Sequence, residues 1–154
     1  STIVRYPDLT DMVTELTAIA QEEMEHVGMV LEKIKARGFT LGHERKDDYV
    51  GQLSKFIKRG GSREGQIVDR LLFAAMIEAR SCERFKMLSE RIEDADLAEF
   101  YRELMISEAG HYTTFLKLAR KYGGDIDVDA RWQECLEFEA GIIQNYGKKE
   151  TMHG

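Results

Sequence analysis

Three glutamates lie where the surrounding apolar pattern calls for a hydrophobic residue. They are Glu23, Glu78 and Glu108, each in the middle of a stripe of apolar residues spaced three and four apart. A carboxylate that is buried alone is costly, so a core carboxylate is normally paired, protonated or bound to a metal. These three side chains are therefore the first candidates for chemistry.

Two of these glutamates are each followed three residues later by a histidine: His26 follows Glu23, and His111 follows Glu108. Residues three apart share a helix face, so a carboxylate oxygen and an imidazole nitrogen can reach one ion. Two Glu-x-x-His helices, with one glutamate from each of two further helices, form the metal box of ferritin-like di-iron and di-manganese bundles. Oxygen donors with one imidazole per metal favour iron or manganese and argue against a thiolate-bound zinc.

This box is one carboxylate short. A site of this kind needs a second lone glutamate from a helix before the first Glu-x-x-His helix, and residues 1–7 contain none. Glu139, at the edge of the last helical stripe, is the less favoured substitute. We expect the helix that carries the missing second lone glutamate to lie upstream of Ser1. We also predict weakened metal occupancy at one of the two sites in the 154-residue chain.

Long glycine-bounded segments with helical periodicity must position these side chains. The chain has one proline and no alternating strand pattern, which favours an all-α fold. The pattern predicts helices over about 8–37, 46–58, 65–92 and 129–146, and a fourth beginning near Asp96 with Glu99 completing a capping box. We predict one ferritin-like helical domain over 1–154, a four-helix bundle with extra helices and its first helix missing or truncated.

Composition limits the class of protein. A net charge of −6 argues against a surface coated with positive charge, though not against a local basic patch. No apolar run is long enough to span a membrane. Two cysteines are too few for a disulfide scaffold and fit a reducing cytosol, so we expect a cytoplasmic protein.

Three segments together resemble the MiaE-type tRNA hydroxylase family. They are LLFAAMIEARSCERFKMLSE at 71–90, LAEFYRELMISEAGHYTTFLKLA at 97–119 and EEMEHVGMVLEKIKARG at 22–38, and IEARSCERF at 77–85 is the most specific of these motifs. The resemblance covers nearly the whole chain. Gly110 stands where the family more often has arginine, but this departure leaves the metal ligands unaffected.

The resemblance implies a non-haem di-iron monooxygenase that acts on 2-methylthio-N6-isopentenyladenosine next to the anticodon of tRNA. It implies two iron ions, dioxygen as co-substrate, and electrons from an external reductase or ferredoxin-type protein. One oxygen atom would be placed on an allylic methyl of the isopentenyl group. Exposed apolar surface left by a lost helix would favour self-association. The residues that match the family's ligands are Glu23, His26, Glu78, Glu108 and His111.

A basic cluster surrounds the Gly60-Gly61 turn, where backbone could approach phosphates and Phe56 could stack a base. We predict that this cluster contacts tRNA; the alternative is a solvated loop. Its members are Lys55, Lys58, Arg59 and Arg63.

Three more charged residues lie on the helix of Glu78: Asp69, Arg80 and Arg84. We predict that they orient the ligand carboxylates without binding the metal themselves. For the arginines, the alternative is pairing with Glu83 and the surface.

Two rival interpretations use the same core carboxylates. A ferritin-like iron-binding or peroxide-scavenging protein shares the metal box but not the IEARSCERF motif. Such a protein should show ferroxidase or peroxidase turnover without tRNA. A helical binding module that has lost its metal would show a folded chain with no bound iron.

Overall fold

The computed structural model describes residues 2–43 and 46–145, and all regular structure within these ranges is helical. The predicted all-α class is therefore confirmed for the described part of the chain. The helices are α1 (Thr2–Arg5), α2 (Thr10–Ala36), α3 (Asp48–Leu53), α4 (Arg63–Arg91), α5 (Ala95–Tyr122) and α6 (Val128–Asn145), with a 3-10 turn at Ser54–Phe56.

Apart from shifts of one or two residues at other helix ends, the predicted bounds differ from the observed ones at two places. The segment predicted as one helix over 46–58 is the short α3 followed by the 3-10 turn. The fourth predicted helix begins earlier, because Asp94 and not Asp96 is its N-cap and accepts a hydrogen bond from the Leu97 amide at 3.1 Å. Residue 146, the predicted end of the last helix, lies outside the described residues.

The chain divides into two units, with the boundary between Lys46 and Asp47. In the first unit, the long amphipathic α2 follows the short α1, and Met12, Leu16 and Ile19 are buried on one face of α2. Gly38, at φ 76°, ends this helix, and the Phe39 amide then bonds back to the Ile34 carbonyl at 3.1 Å.

In the second unit, α4 and α5 form an antiparallel pair joined by the three-residue connection 92–94. Apolar residues of α4 at helical spacing are buried, namely Val68, Leu71, Leu72 and Ala75. Opposite positions along the pair approach each other, and the rings of Phe85 and Tyr101 stack at 5.8 Å. This pairing brings the middle of α4 beside the middle of α5.

Helix α6 binds to α4 through two ion pairs, Asp69–Arg131 and Arg80–Glu139. The earlier residue of α4 pairs with the earlier residue of α6, and the later residue with the later one, so α6 runs parallel to α4. The turn between α5 and α6 requires a glycine at Gly123, because a Cβ atom there would lie 2.9 Å from the Ala119 carbonyl oxygen.

Among the described residues, no helix combines the length and the apolar character needed to cross a lipid bilayer.

Candidate metal centre

Helices α4 and α5 bring Glu78, Glu108 and His111 together. One potential ligand atom from each lies within 4.8 Å of the others. Glu108 and His111 are buried, and the Glu78 carboxylate oxygen lies 3.8 Å from His111 Nδ1. The structure thus brings these three predicted ligands together, and their binding of a metal stays a prediction.

The local sequence explains this geometry. Glu108 and His111 share one face of α5, as residues three apart must. The antiparallel register then places that face against the turn of α4 that carries Glu78. Deep burial keeps competing water away from the carboxylate oxygens and the ring nitrogen.

Ser107 is a neighbour of the site that the sequence patterns did not single out. Its hydroxyl lies 3.5 Å from Nε2 of His111, while Nδ1 of the same ring faces Glu78. A contact on the outer nitrogen orients an imidazole that uses its other nitrogen as a ligand. Serine four residues before a candidate ligand histidine is the only sequence signal for this role, and it is a common spacing.

In the first unit, Glu23 and His26 lie on one face of α2 with His26 Nδ1 3.7 Å from a Glu23 oxygen. The pair repeats the spacing and the contact geometry of a Glu-x-x-His ligand pair. Its histidine side chain is mostly buried, which is uncommon for a surface ion pair.

The residues of α4 and α5 fit an iron or manganese ion. Their donors are carboxylate oxygens and one imidazole nitrogen, which suit these metals better than they suit copper. Two ligands of one ion with bonds of about 2.1 Å can be at most about 4.2 Å apart. The 3.8 Å between the Glu78 oxygen and His111 Nδ1 meets that limit.

Glu139 does not serve as a further metal ligand in this structure. Its buried carboxylate accepts a hydrogen bond from Arg80 Nε at 2.6 Å and another from the Tyr49 hydroxyl at 3.2 Å. The pKa of Tyr49 is raised, first by burial and second by the negative charge of Glu139. Its hydroxyl therefore stays protonated and donates. The suggested substitute for the missing glutamate is thus committed to an ion pair.

The residues predicted to orient the metal ligands have other partners. Arg80 binds Glu139 and also Glu83, the second at 2.8 Å. Asp69 accepts from Arg131 and from the Lys58 amide, so both of its oxygens are engaged far along α4 from Glu78. Arg84 is half-buried on α4, and its predicted role stays a prediction.

The segment 55–63, here called the basic loop, contains the four predicted tRNA contacts. All four side chains are exposed: Lys55, Lys58, Arg59 and Arg63. Gly60 and Gly61 adopt φ values of 82° and 83°, which L residues rarely adopt. Phe56 is only 6% exposed, with the Arg131 guanidinium 3.8 Å above its ring, so the prediction that Phe56 stacks on a base is wrong.

Together, the helices and the cluster define a ferritin-like all-α protein with a candidate carboxylate and imidazole metal site. A family model described as tRNA-(MS[2]IO[6]A)-hydroxylase (MiaE) matches residues 1–154. The chain therefore belongs to the MiaE family, as the sequence motifs predicted.

Two curated relatives carry the name tRNA 2-(methylsulfanyl)-N(6)-isopentenyladenosine(37) hydroxylase. The one from Pseudomonas putida is 37% identical over 154 residues, which are 99% of this chain and 73% of the relative. The one from Salmonella typhimurium is 31% identical over 142 residues, which are 92% of this chain and 51% of the relative. The chain thus spans about three quarters of one relative and about half of the other.

A solved structure, protein 43 with aldehyde deformylating oxygenase activity from Synechococcus, superposes with a TM-score of 0.86. It is 28% identical, and the match covers 99% of this chain and 77% of that one. The predicted ferritin-like fold class is confirmed by this likeness.

Proposed function

We propose that this protein is a non-haem di-iron tRNA hydroxylase whose substrate is the isopentenyl group of 2-methylthio-N6-isopentenyladenosine, next to the anticodon. The observation that carries the proposal is the buried cluster of Glu78, Glu108 and His111. It lies on the segments 71–90 and 97–119, which carry the most specific resemblance to the family. Membership of the MiaE family over the whole chain supports the substrate.

Residues 1–154 act as one ferritin-like domain in this proposal. The proposed metal ligands are Glu78, Glu108 and His111 on α4 and α5 of the second unit, and Glu23 and His26 on α2 of the first. The two Glu-x-x-His pairs give each metal one imidazole, the pattern of carboxylate-bridged sites. Two contacts support this assignment: 3.7 Å between Glu23 and His26 within one Glu-x-x-His pair, and 3.8 Å between His111 of the other pair and Glu78 on α4.

The iron pair, when bound, supplies the activation of dioxygen that insertion into an unactivated C–H bond requires. One oxygen atom becomes the hydroxyl of the product and the other leaves as water, after an external reductase or ferredoxin-type protein supplies two electrons and the solvent supplies two protons. The protein's own residues fix the ligands and exclude water. Ser107 holds the His111 ring, while burial keeps Glu108 and His111 out of solvent.

The basic loop serves as the tRNA contact in this proposal. Lys55, Lys58, Arg59 and Arg63 are exposed on a chain whose net charge is −6. An acidic protein that binds RNA needs such a local basic surface, because the phosphates dominate the affinity.

An assay on prenylated tRNA tests the function. The iron-loaded protein is incubated with tRNA that carries 2-methylthio-N6-isopentenyladenosine, a reductant and isotopically labelled dioxygen, and the nucleosides are then analysed by mass spectrometry. We expect one labelled oxygen atom in the prenyl group, and none with tRNA lacking that group or with Glu108→Ala.

A folded, iron-loaded protein that leaves this tRNA unchanged would contradict the proposal. Iron oxidation or peroxide consumption that proceeds equally well without tRNA would favour the ferritin-like iron-binding or peroxide-scavenging alternative. The family match argues against that alternative.

A further inference from the structure

We infer that the buried ion pair between Asp69 and Arg131 is a positioning device that holds the basic loop in the shape that binds the tRNA backbone. The inference rests on the proposed function, because it takes the basic loop as the tRNA contact. It also gives Asp69 a role at the loop in place of the predicted role at the metal.

Asp69 of α4 binds the backbone of the basic loop. The side chain is only 4% exposed, although it is charged. One carboxylate oxygen accepts the backbone N–H of Lys58 at 2.9 Å, and the other accepts Nε of Arg131 at 2.8 Å. A buried carboxylate oxygen that accepts from a loop amide fixes that amide in place, since releasing the amide would leave this oxygen buried without a hydrogen bond.

Arg131 of α6 holds the neighbouring part of the loop. Its guanidinium donates to the Phe56 carbonyl oxygen at 3.2 Å and lies 3.8 Å above the Phe56 ring. A planar guanidinium combines such stacking with directed hydrogen bonds, which a lysine cannot do. The pair therefore fixes the Phe56 carbonyl and the Lys58 amide, two backbone groups in the first half of the basic loop.

The far end of the loop is fixed as well. The Ser62 hydroxyl accepts the Gly65 amide at 3.0 Å and caps α4. Between the two fixed ends, Gly60 and Gly61 make the left-handed turn, and a cleft of about 180 Å³ lies beneath it, lined by residues including Lys58, Ser62 and Arg131. The exposed Lys58 and Arg59 side chains thus extend from a backbone held on both sides.

A loop that is already ordered loses less conformational entropy when it binds than a free loop does. Releasing the loop should therefore weaken tRNA binding, even though its positive side chains all remain. Coulomb forces alone predict the opposite for Asp69→Asn, because that change removes a negative charge near the phosphates. The sign of the effect separates positioning from simple electrostatics.

The test measures the Kd of the iron-loaded protein for tRNA carrying 2-methylthio-N6-isopentenyladenosine. We expect Asp69→Asn and the charge-conserving Arg131→Lys to raise the Kd roughly tenfold. The KM for tRNA should rise in parallel, with kcat and iron content unchanged. The matched control is Asp129→Asn, which makes the same charge change at an exposed carboxylate of α6 paired with Arg120; it should bind as tightly as wild type or more tightly.

Folding is checked by thermal melting. Should Asp69→Asn not fold, Arg131→Lys carries the test, with hydrogen exchange of the Lys58 amide as a second measurement; we expect faster exchange. If Asp69→Asn and Arg131→Lys fold and bind tRNA as tightly as wild type or more tightly, the inference is overturned.

A double variant, Lys58→Gln with Arg59→Gln, distinguishes the two proposals. Weaker binding by this variant, with wild-type binding by Asp69→Asn and Arg131→Lys, overturns only the positioning role. Wild-type binding by the double variant overturns both the positioning role and the basic loop as the tRNA contact.

Discussion

At the scale of single residues, His111 presents its two ring nitrogens to different partners. Nδ1 faces Glu78 at 3.8 Å, and Nε2 lies 3.5 Å from the Ser107 hydroxyl. Contacts on the outer nitrogen of a ligand histidine typically change metal affinity by about 10–100-fold. Because this contact is long, its effect should lie at the lower end of that range.

We therefore expect Ser107→Ala to weaken iron(II) binding roughly tenfold while the fold is kept. The measurement is a metal titration followed by circular dichroism of the same sample. Ser89→Ala is the control, because the Ser89 hydroxyl bonds only to the Lys86 carbonyl on the exposed part of α4. Equal affinities for the two variants would remove Ser107 from the metal centre.

Burial also sets the chemistry of a thiol away from the site. It raises the pKa of the Cys135 thiol to about 12, and Cys135 is fully buried on α6. In the folded protein the thiol therefore stays protonated over a pH range in which an unfolded thiol ionises. Its contribution to the free energy of unfolding is complete below about pH 9 and is lost as the pH rises toward 12.

We predict that wild type loses stability more steeply than Cys135→Ala between pH 9 and 10.5, by up to about 1.4 kcal/mol per pH unit. Urea unfolding at a series of pH values gives the two slopes. A thiol reagent at pH 8 should label native Cys82 and spare Cys135. Parallel slopes, together with rapid labelling of Cys135, would show that this thiol is not buried.

At the scale of elements, α4 has two polar faces with different tasks. Asp69 and Arg80 are eleven residues apart and lie about 20° from each other around the helix, whereas Glu78 lies about 160–180° away from both. The first face pairs with α6, and the second faces α5. The two pairs have opposite polarity, so a helix packed in the reverse direction would set like charges together.

The pair on the α6 side should matter for stability. We expect Glu139→Ala to lower the free energy of unfolding by about 2 kcal/mol, because Arg80 and the buried Tyr49 hydroxyl lose their acceptor. Glu83→Ala removes the other partner of the same arginine at an exposed position and should cost less than about 0.5 kcal/mol. Urea unfolding compares the variants, and a similar small cost for both would refute this view of α6 attachment.

Local patterns were enough to predict the helices and to single out the carboxylates and the histidine that α4 and α5 bring together. Periodicity identifies a face, and a charge on that face identifies a residue that needs a partner. Glu139 and Asp69 are also buried charges that need a partner, but the partner of each is an arginine on another helix and not a metal. Those partners lie about sixty residues away in the chain, so spacing within one helix cannot distinguish an ion pair from a metal ligand.

The errors at Phe56 and Asp96 have a similar origin. Phe56 looked available because it lies in a basic segment, but Arg131 of α6 covers its ring. Asp94 and Asp96 are both good capping residues, and only the backbone path decides which one lies at the helix end.

At the scale of the whole molecule, a net charge of −6 means that the tRNA phosphates must contact a local basic surface. Because such contacts release counterions, the affinity for tRNA should fall as salt rises. Each lost phosphate contact lowers the slope of log K against log salt by about 0.7–0.9. Lys55→Gln with Arg59→Gln should therefore reduce the slope by about 1.5.

The control pair is Lys86→Gln with Lys117→Gln, which removes the same charge from exposed lysines of α4 and α5 outside the basic loop. Filter binding at several salt concentrations gives both slopes. Equal slopes for the two double variants would place the tRNA contact elsewhere.

The iron content of the purified protein shows whether the core carboxylates and imidazoles hold iron. It is measured together with the absorption spectrum of the reduced protein after it is exposed to air again, for wild type, Glu78→Ala and Glu139→Gln. Both Glu78 and Glu139 are carboxylates with little exposed surface, but of the two only Glu78 faces the candidate ligand His111. We predict that wild type and Glu139→Gln bind iron and that Glu78→Ala loses it while remaining helical. A folded wild type without iron, or full iron binding by Glu78→Ala, would contradict the proposed metal centre.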